Sequence, residues 1–81
     1  MDYEKIGKFI FKLRKGKNLT QKQLAEKLNV TNKAISKWER GEGVPDIFIL
    51  KQLADLFHVT VNDLLSEKKK NEWNLFRQPP V

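Results

Sequence analysis

Residues 19–46 read LTQKQLAEKLNVTNKAISKWERGEGVPD, and this stretch contains the start signals of two short helices separated by a turn. At the first start, Thr20 fits the N-cap position, and Gln23 completes a capping box three residues later. Apolar residues flank this box on both sides, as a hydrophobic staple requires. These signals predict a helix over residues 21–28.

A second helix follows after the short connection Asn29-Val30-Thr31, and we expect it over residues 32–40. Two short helices joined this closely cross at a steep angle and form a helix-turn-helix. At about 100° per residue, Ile35 and Trp38 share one apolar face of the second helix. That pattern is typical of a recognition helix, although a solvated surface helix has the same composition. The opposite face carries cationic and polar side chains: Lys33, Ser36, Lys37 and Arg40.

Apolar residues at helical spacing on both sides of this pair predict an all-α protein. Asp2 fits the N-cap of a first helix, Pro45 and Asp46 open a fourth, and Thr60 marks the start of a fifth. Helices this short are not stable alone, so their mutual packing has to hold them. The five expected helices span about residues 3–15, 21–28, 32–40, 46–57 and 61–66.

The helical pattern defines one expected domain over residues 1–66. Residues 67–81 contain a lysine run and two adjacent prolines, which indicates a tail or a linker, and disorder is the simplest expectation for it. Trp73 and Phe76 are large apolar groups in this tail. Besides disorder, three roles remain open for these two residues: packing on the core, sealing a dimer, or leading into a further domain.

Length and charge restrict the class of function. Eighty-one residues suffice for one domain and are too few for most enzyme architectures. The whole net charge of +6 lies in residues 1–43, which hold 11 positive and 5 negative side chains, whereas residues 44–81 hold 5 of each. A one-sided basic surface favours a polyanion such as nucleic acid or an anionic membrane. A lysine-rich solvated surface explains the charge alone equally well.

Several other classes find no support in the residues. The absence of cysteine excludes disulfides and thiolate zinc sites. The longest apolar run, residues 47–50, is far shorter than the ~20 residues that span a bilayer, so we expect no membrane association and a cytoplasmic protein. The single histidine, His58, has no triad or acidic pair near it in a recognisable arrangement. We therefore expect no enzyme activity, no catalytic residues, no metal site and no cofactor.

The stretch quoted above, followed by LKQLADLFHVTVNDLL at residues 50–65, resembles the helix-turn-helix domain of the Cro/phage-repressor (XRE) superfamily over roughly residues 4–66. The resemblance implies a compact, five-helix, lambda-repressor-like domain. It also implies a sequence-specific transcriptional regulator, expected to be a repressor, that reads the major groove of double-stranded DNA with helix 32–40. The motifs that carry it are Thr20-Gln21, Leu24-Ala25, Ile35-Ser36-x-Trp38-Glu39-x-Gly41, Pro45, and Leu53-Ala54 ahead of Val59.

The resemblance also implies roles for single positions. Thr31, Asn32 and Lys33 would face bases, and Lys37 would reach a base or the neighbouring phosphate. Asn32 can pair with adenine, and either lysine can donate to guanine. The expected phosphate contacts are Gln21, Ser36, Arg40 and the backbone around Gly41 and Gly43.

Glu39 places a carboxylate inside this DNA-facing motif, where it would repel phosphate unless it is turned inward and neutralised. The resemblance implies that Arg14 of the first helix pairs with it. We therefore expect a structural ion pair between Arg14 and Glu39 that locks the first helix against the recognition helix.

The resemblance further implies a homodimer on a pseudo-palindromic operator, with a dimer surface near residues 57–66. The alternative is an antitoxin-like or regulatory protein-interaction module on the same fold. If they are exposed, Phe11 and Phe48, together with Trp73 and Phe76 of the tail, would supply its contacts.

Overall fold

The computed structural model describes residues 2–66, and these residues form five α-helices and no strand. The all-α expectation is therefore confirmed, and each predicted boundary lies within one residue of the observed one. Trp73, Phe76 and the other residues of the expected tail lie outside the described residues. The helices are α1 (Tyr3–Gly16), α2 (Gln21–Leu28), α3 (Asn32–Glu39), α4 (Ile47–Phe57) and α5 (Val61–Ser66).

Every helix begins at a capping side chain. At the start of α2, Thr20 Oγ1 accepts from Gln23 N at 3.0 Å, and Gln23 Oε1 accepts from Thr20 N at 2.9 Å. Thr60 and Asp63 form the same reciprocal box at the start of α5, with distances of 2.9 and 3.0 Å. Such a cap stabilises a helix by about 1 kcal/mol, which matters most for helices of one to three turns. The remaining caps are Asp2, Thr31 and Asp46.

The turn between α2 and α3 sets how these two helices cross. Asn29 adopts the left-handed conformation at φ 58°, and its amide donates to Glu26 O at 3.3 Å. The amide of Val30 donates to Ala25 O at 3.0 Å, which completes a Schellman turn. Thr31 then caps α3 directly. The connection is therefore only three residues long, as predicted, and α3 has to turn across α2.

One hydrophobic core joins all five helices. α3 packs against α1 and α2, while α5 packs against α1 and α4. Trp38 is only partly buried and packs against the edge of this core. The buried apolar residues are Ile6, Ile10, Leu24, Ala25, Leu28, Ile35, Leu50, Leu53, Ala54, Phe57 and Leu64.

The crossing of α1 over α3 depends on Gly7, a residue that the sequence pattern did not single out. A Cβ atom at Gly7 would overlap the carbonyl oxygen of Trp38 and lie 3.1 Å from the carbonyl carbon of Glu39. Because these are backbone atoms of α3, a rotamer change cannot relieve the contact. Glycine therefore allows the two helix backbones to touch.

We expect Gly7→Ala to destabilise the fold by about 1–3 kcal/mol, because α1 has to move away from α3. This loss outweighs the gain of about 1 kcal/mol in helix propensity. Gly16→Ala is the matched control, because a Cβ atom there meets nothing within 4 Å. Thermal unfolding followed by circular dichroism should show a lower Tm for Gly7→Ala and an unchanged or higher Tm for Gly16→Ala. Equal melting temperatures for the two variants would contradict the close approach.

Candidate nucleic-acid interface

The outer face of α3 carries the residues that were expected to contact bases. Ile35 is fully buried and fixes which side of α3 faces the core. Thr31, Asn32, Lys33 and Lys37 are all exposed. Lys37 lies one helical turn after Lys33, so both cations share one face. The structure thus exposes Thr31 and Asn32 at the start of α3 and places the two lysines, one turn apart, on the side opposite Ile35.

The expected phosphate contacts lie around this face. Arg40 is exposed at the C-cap of α3, and at about 100° per residue it falls within about 60° of Lys33 and Lys37. Ser36 is half-buried on the same helix. Gln21 is half-buried at the first position of α2. We refer below to the exposed residues Thr31, Asn32, Lys33, Lys37 and Arg40 as the basic face of α3.

A cavity of about 510 Å³ connects the start of α2 with the start of α3. Its lining includes Gln21 and Lys22 from α2, Asn32 from α3, and Lys15 from the end of α1. With Asn18, which also lines it, two lysines and three side-chain amides therefore surround one concave surface at the edge of the basic face. Such a surface can accept a phosphate group of a polyanion that lies along α3.

The buried ion pair between Arg14 and Glu39 holds α1 against α3. Arg14 Nε lies 2.6 Å from Glu39 Oε2, and Arg14 Nη2 donates to Glu39 Oε1 at 2.9 Å, which is a bidentate arrangement. The two side chains are only 8% and 5% exposed. Arg14 Nη1 also donates to the carbonyl oxygen of Leu19 at 2.7 Å, which ties in the connection between α1 and α2. One guanidinium group therefore links α1, the connection between α1 and α2, and α3.

The charge state of Arg14 follows from its contacts with Glu39. The hydrogen bond to Glu39 raises the pKa of Arg14 above its ordinary value, burial opposes that shift, and the negative charge of Glu39 adds to it. A raised pKa of a base means that its contribution to stability is complete below the unfolded-state pKa and is lost only as the pH rises through the folded-state value. Arg14 therefore stays charged, and stabilising, throughout the neutral range.

Gln21 has a contact that sequence reasoning missed. Its Nε2 donates to Glu39 Oε1 at 3.0 Å, so the carboxylate accepts from Gln21 as well as from Arg14. An ionised carboxylate can only accept, which requires the nitrogen of the Gln21 amide to face it. The second N–H hydrogen remains for a phosphate oxygen. Gln21 and Glu39 are 18 residues apart, and no local spacing signals such a contact.

The turn after α3 uses one of the two glycine amides that were expected to contact phosphate. Gly41 is left-handed at φ 76°, and its amide donates to Trp38 O at 3.1 Å. Gly43, by contrast, has no backbone hydrogen bond within residues 2–66, and a Cβ atom there would meet nothing within 4 Å. The structure therefore engages the amide of Gly41 internally and leaves that of Gly43 without a backbone acceptor in the described residues.

The described part of the chain also bears on metal, membrane and protein-interaction sites. No group of three acidic or histidine side chains there could hold a metal ion. None of the helices in residues 2–66 combines the length and the apolar composition of a membrane span. Phe11 and Phe48 are exposed, by 44% and 72%, as a protein-interaction surface would require.

Comparison with known proteins gives several similarities. A helix-turn-helix family model matches residues 10–64. The HTH-type transcriptional activator BcrR of Enterococcus faecalis is 57% identical over 54 residues, which are 67% of this chain and 26% of BcrR. The HTH-type transcriptional regulator ImmR of Bacillus subtilis is 37% identical over 76 residues, 90% of this chain and 60% of ImmR. The chain thus spans less than two thirds of the length of either relative.

Two further comparisons agree with these. The cryptic phage CTXphi transcriptional repressor RstR of Vibrio cholerae is 32% identical over 60 residues, which are 74% of this chain and 54% of RstR. Among solved structures, the crystal structure of the clp gene regulator ClgR from Corynebacterium glutamicum superposes with a TM-score of 0.72 at 27% identity. That superposition covers 83% of this chain and 71% of the ClgR chain.

We expect Arg14→Ala to destabilise the domain by about 3–5 kcal/mol, because it leaves the Glu39 carboxylate buried without its partner. For a domain of this size, that corresponds to a fall in Tm of roughly 15 °C or more. Arg40→Ala is the matched control, because its ion pair with Glu42 is more than half exposed, at 54% and 51%, and contributes little. Thermal unfolding of both variants measures the difference. A Tm of Arg14→Ala equal to that of the wild type would refute a stabilising role of the buried pair.

Proposed function

Since this chain belongs to the helix-turn-helix family, we propose that it is a sequence-specific transcriptional regulator that reads the major groove of double-stranded DNA with α3. The observation that carries the proposal is the basic face of α3, which is exposed although the other side of the same helix is buried. The similarity to BcrR, ImmR and RstR supports it, because each of these proteins is a transcriptional activator, regulator or repressor.

The proposed docking places α3 in the groove and α2 across the phosphate backbone. An α-helix with its side chains is about 10–12 Å in diameter, and the major groove is about 12 Å wide, so α3 fits within it. Asn32 would pair with adenine, Lys33 and Lys37 would donate to guanine, and Thr31 would contact the neighbouring base edge. The proposed phosphate contacts are Gln21, Ser36, Arg40 and the backbone amide of Gly43, since the amide of Gly41 is engaged by Trp38 O.

The proposed active form is a homodimer on a pseudo-palindromic operator. A single α3 contacts only a few base pairs, and two copies separated by one helical turn, about 34 Å, double the contacts without a new interface to the bases. The proposed dimer surface lies near residues 57–66. We place the protein in the cytoplasm, with no enzyme activity and no cofactor. Repression is the proposed mode, because a dimer bound over a promoter excludes polymerase without any further contact.

Salt dependence provides the first test. Binding of the full chain to a mixed-sequence duplex is measured at ~50 and ~200 mM salt. A dimer that neutralises about 6–10 phosphates should lose about 10³–10⁵ in affinity between these concentrations. Arg40→Ala, which removes a proposed phosphate contact, should reduce both the affinity and the salt slope. Lys51→Ala is the matched control on α4 and should change them much less. If the chain shows no affinity for the duplex at ~50 mM salt, or an affinity that does not change with salt, DNA binding is refuted and the protein-interaction module is favoured instead.

Substitution of the base-reading residues provides the second test. Selection from a random DNA pool first supplies a preferred sequence and its single-base variants. Asn32→Ala and Lys37→Ala should each leave Tm unchanged, because both side chains are exposed. Each should reduce discrimination at one base pair by about 1–3 kcal/mol. If a variant instead weakens binding to all sequences equally, its residue contacts the backbone and does not read a base.

A further inference from the structure

The turn that follows α3 places an acidic side chain beside the basic face. Arg40 Nη1 lies 2.9 Å from Glu42 Oε2, and Arg40 Nε donates to Ser36 O at 3.2 Å. Two of the five N–H donors of the guanidinium group are therefore already engaged with oxygen atoms of the protein before any phosphate arrives. Unlike the buried Arg14–Glu39 pair, the Arg40–Glu42 pair is more than half exposed.

The position of Glu42 is fixed by the backbone. The amide of Glu42 donates to Lys37 O at 2.9 Å, and the amide of Gly41 donates to Trp38 O at 3.1 Å. These two bonds, with Gly41 left-handed between α3 and Glu42, form a Schellman turn. The turn reverses the chain and returns Glu42 to the end of α3. The acidic residue therefore lies at the end of the basic face, next to Arg40.

We infer that Glu42 limits the affinity of the domain for DNA by competing with phosphate for Arg40. This inference rests on the proposed function, and it adds Glu42, which is not among the side chains expected to contact bases or phosphates. A phosphate that approaches Arg40 either displaces the Glu42 carboxylate or is repelled by it. Both outcomes weaken binding. Because a phosphate contact carries no sequence information, the penalty applies equally to all duplexes.

Glu42 thereby lowers the affinity for every duplex, operator and non-specific site alike, and leaves the ratio between them unchanged. A basic domain binds any duplex through counterion release, and every non-specific site in a genome competes with the operator. A fixed acidic side chain at the edge of the interface lowers the affinity for all of these sites. The repulsive element sets how tightly the domain holds DNA in general, while the base contacts of α3 set which sequence it prefers.

Glu42→Gln tests this inference in the full chain, with a fluorescent mixed-sequence duplex as the probe at ~50 mM salt. We expect the affinity to rise by about two- to fivefold, the range for an exposed ion pair. The gain should shrink at ~200 mM salt, because the interaction is exposed and screened. Thermal unfolding should show no change in Tm, since the Glu42 side chain is 51% exposed.

Glu4→Gln is the matched control, because it removes the same charge from the same end of the molecule. Glu4 packs beside Gly41, where its Cα lies 3.0 Å from the position of an added Cβ. Glu4 forms no ion pair with Arg40 in the described residues. We expect this variant to gain much less than Glu42→Gln. The gain from Glu42→Gln should also fall to the control level when Arg40 is replaced by glutamine.

Four results would overturn the inference. Equal gains for Glu42→Gln and Glu4→Gln would show a general charge effect. A gain that persists in the Arg40→Gln background would show that Arg40 is not involved. Wild-type protein that fails to bind the duplex at ~50 mM salt would remove the proposed function and the inference together. Wild-type binding with no effect of Glu42→Gln would remove the inference alone.

Discussion

The buried ion pair between Arg14 and Glu39 is the constraint on which the rest of the interface depends. Glu39 lies at the end of α3, and its carboxylate would repel DNA if it were exposed. Arg14 instead draws it inward and holds it with two hydrogen bonds. The same guanidinium group binds the carbonyl of Leu19, and the same carboxylate binds Gln21. One pair of charges therefore fixes the relative positions of α1, α2 and α3. A change at Arg14 acts on DNA binding through the fold.

The two glutamates near the end of α3 have opposite environments. Glu39 is buried, neutralised by Arg14 and removed from the surface potential. Glu42, only three residues later, is exposed and paired with an arginine of the basic face. Simple charge counting treats the two residues alike. The structure separates them, because the Schellman turn after α3 changes the direction of the chain between them. Burial, more than net charge, decides which acid affects a bound polyanion.

Most of the fold could be predicted from the sequence, because the signals are local. The Thr20 and Thr60 capping boxes, the Asp46 cap and the apolar stripes of α1 and α4 act within a few residues. Gly7 escaped prediction because its role depends on α3 crossing α1, a contact between residues more than 30 positions apart. The Gln21–Glu39 hydrogen bond escaped for the same reason. Exposure of the base-contact candidates follows from Ile35 facing the core, whereas their partners on DNA do not follow from the protein alone.

A titration of ¹⁵N-labelled protein with a duplex selected from a random pool tests the central claim most directly, namely that the basic face of α3 is the DNA-binding surface. Chemical-shift changes in the NMR spectrum should be largest at Thr31, Asn32, Lys33 and Lys37, with smaller changes at Gln21 and Gly43. Lys51 of α4 should hardly shift. If the largest changes instead occur at Phe11 and Phe48 while the residues of α3 do not shift, the account is contradicted and binding is assigned to these exposed apolar side chains.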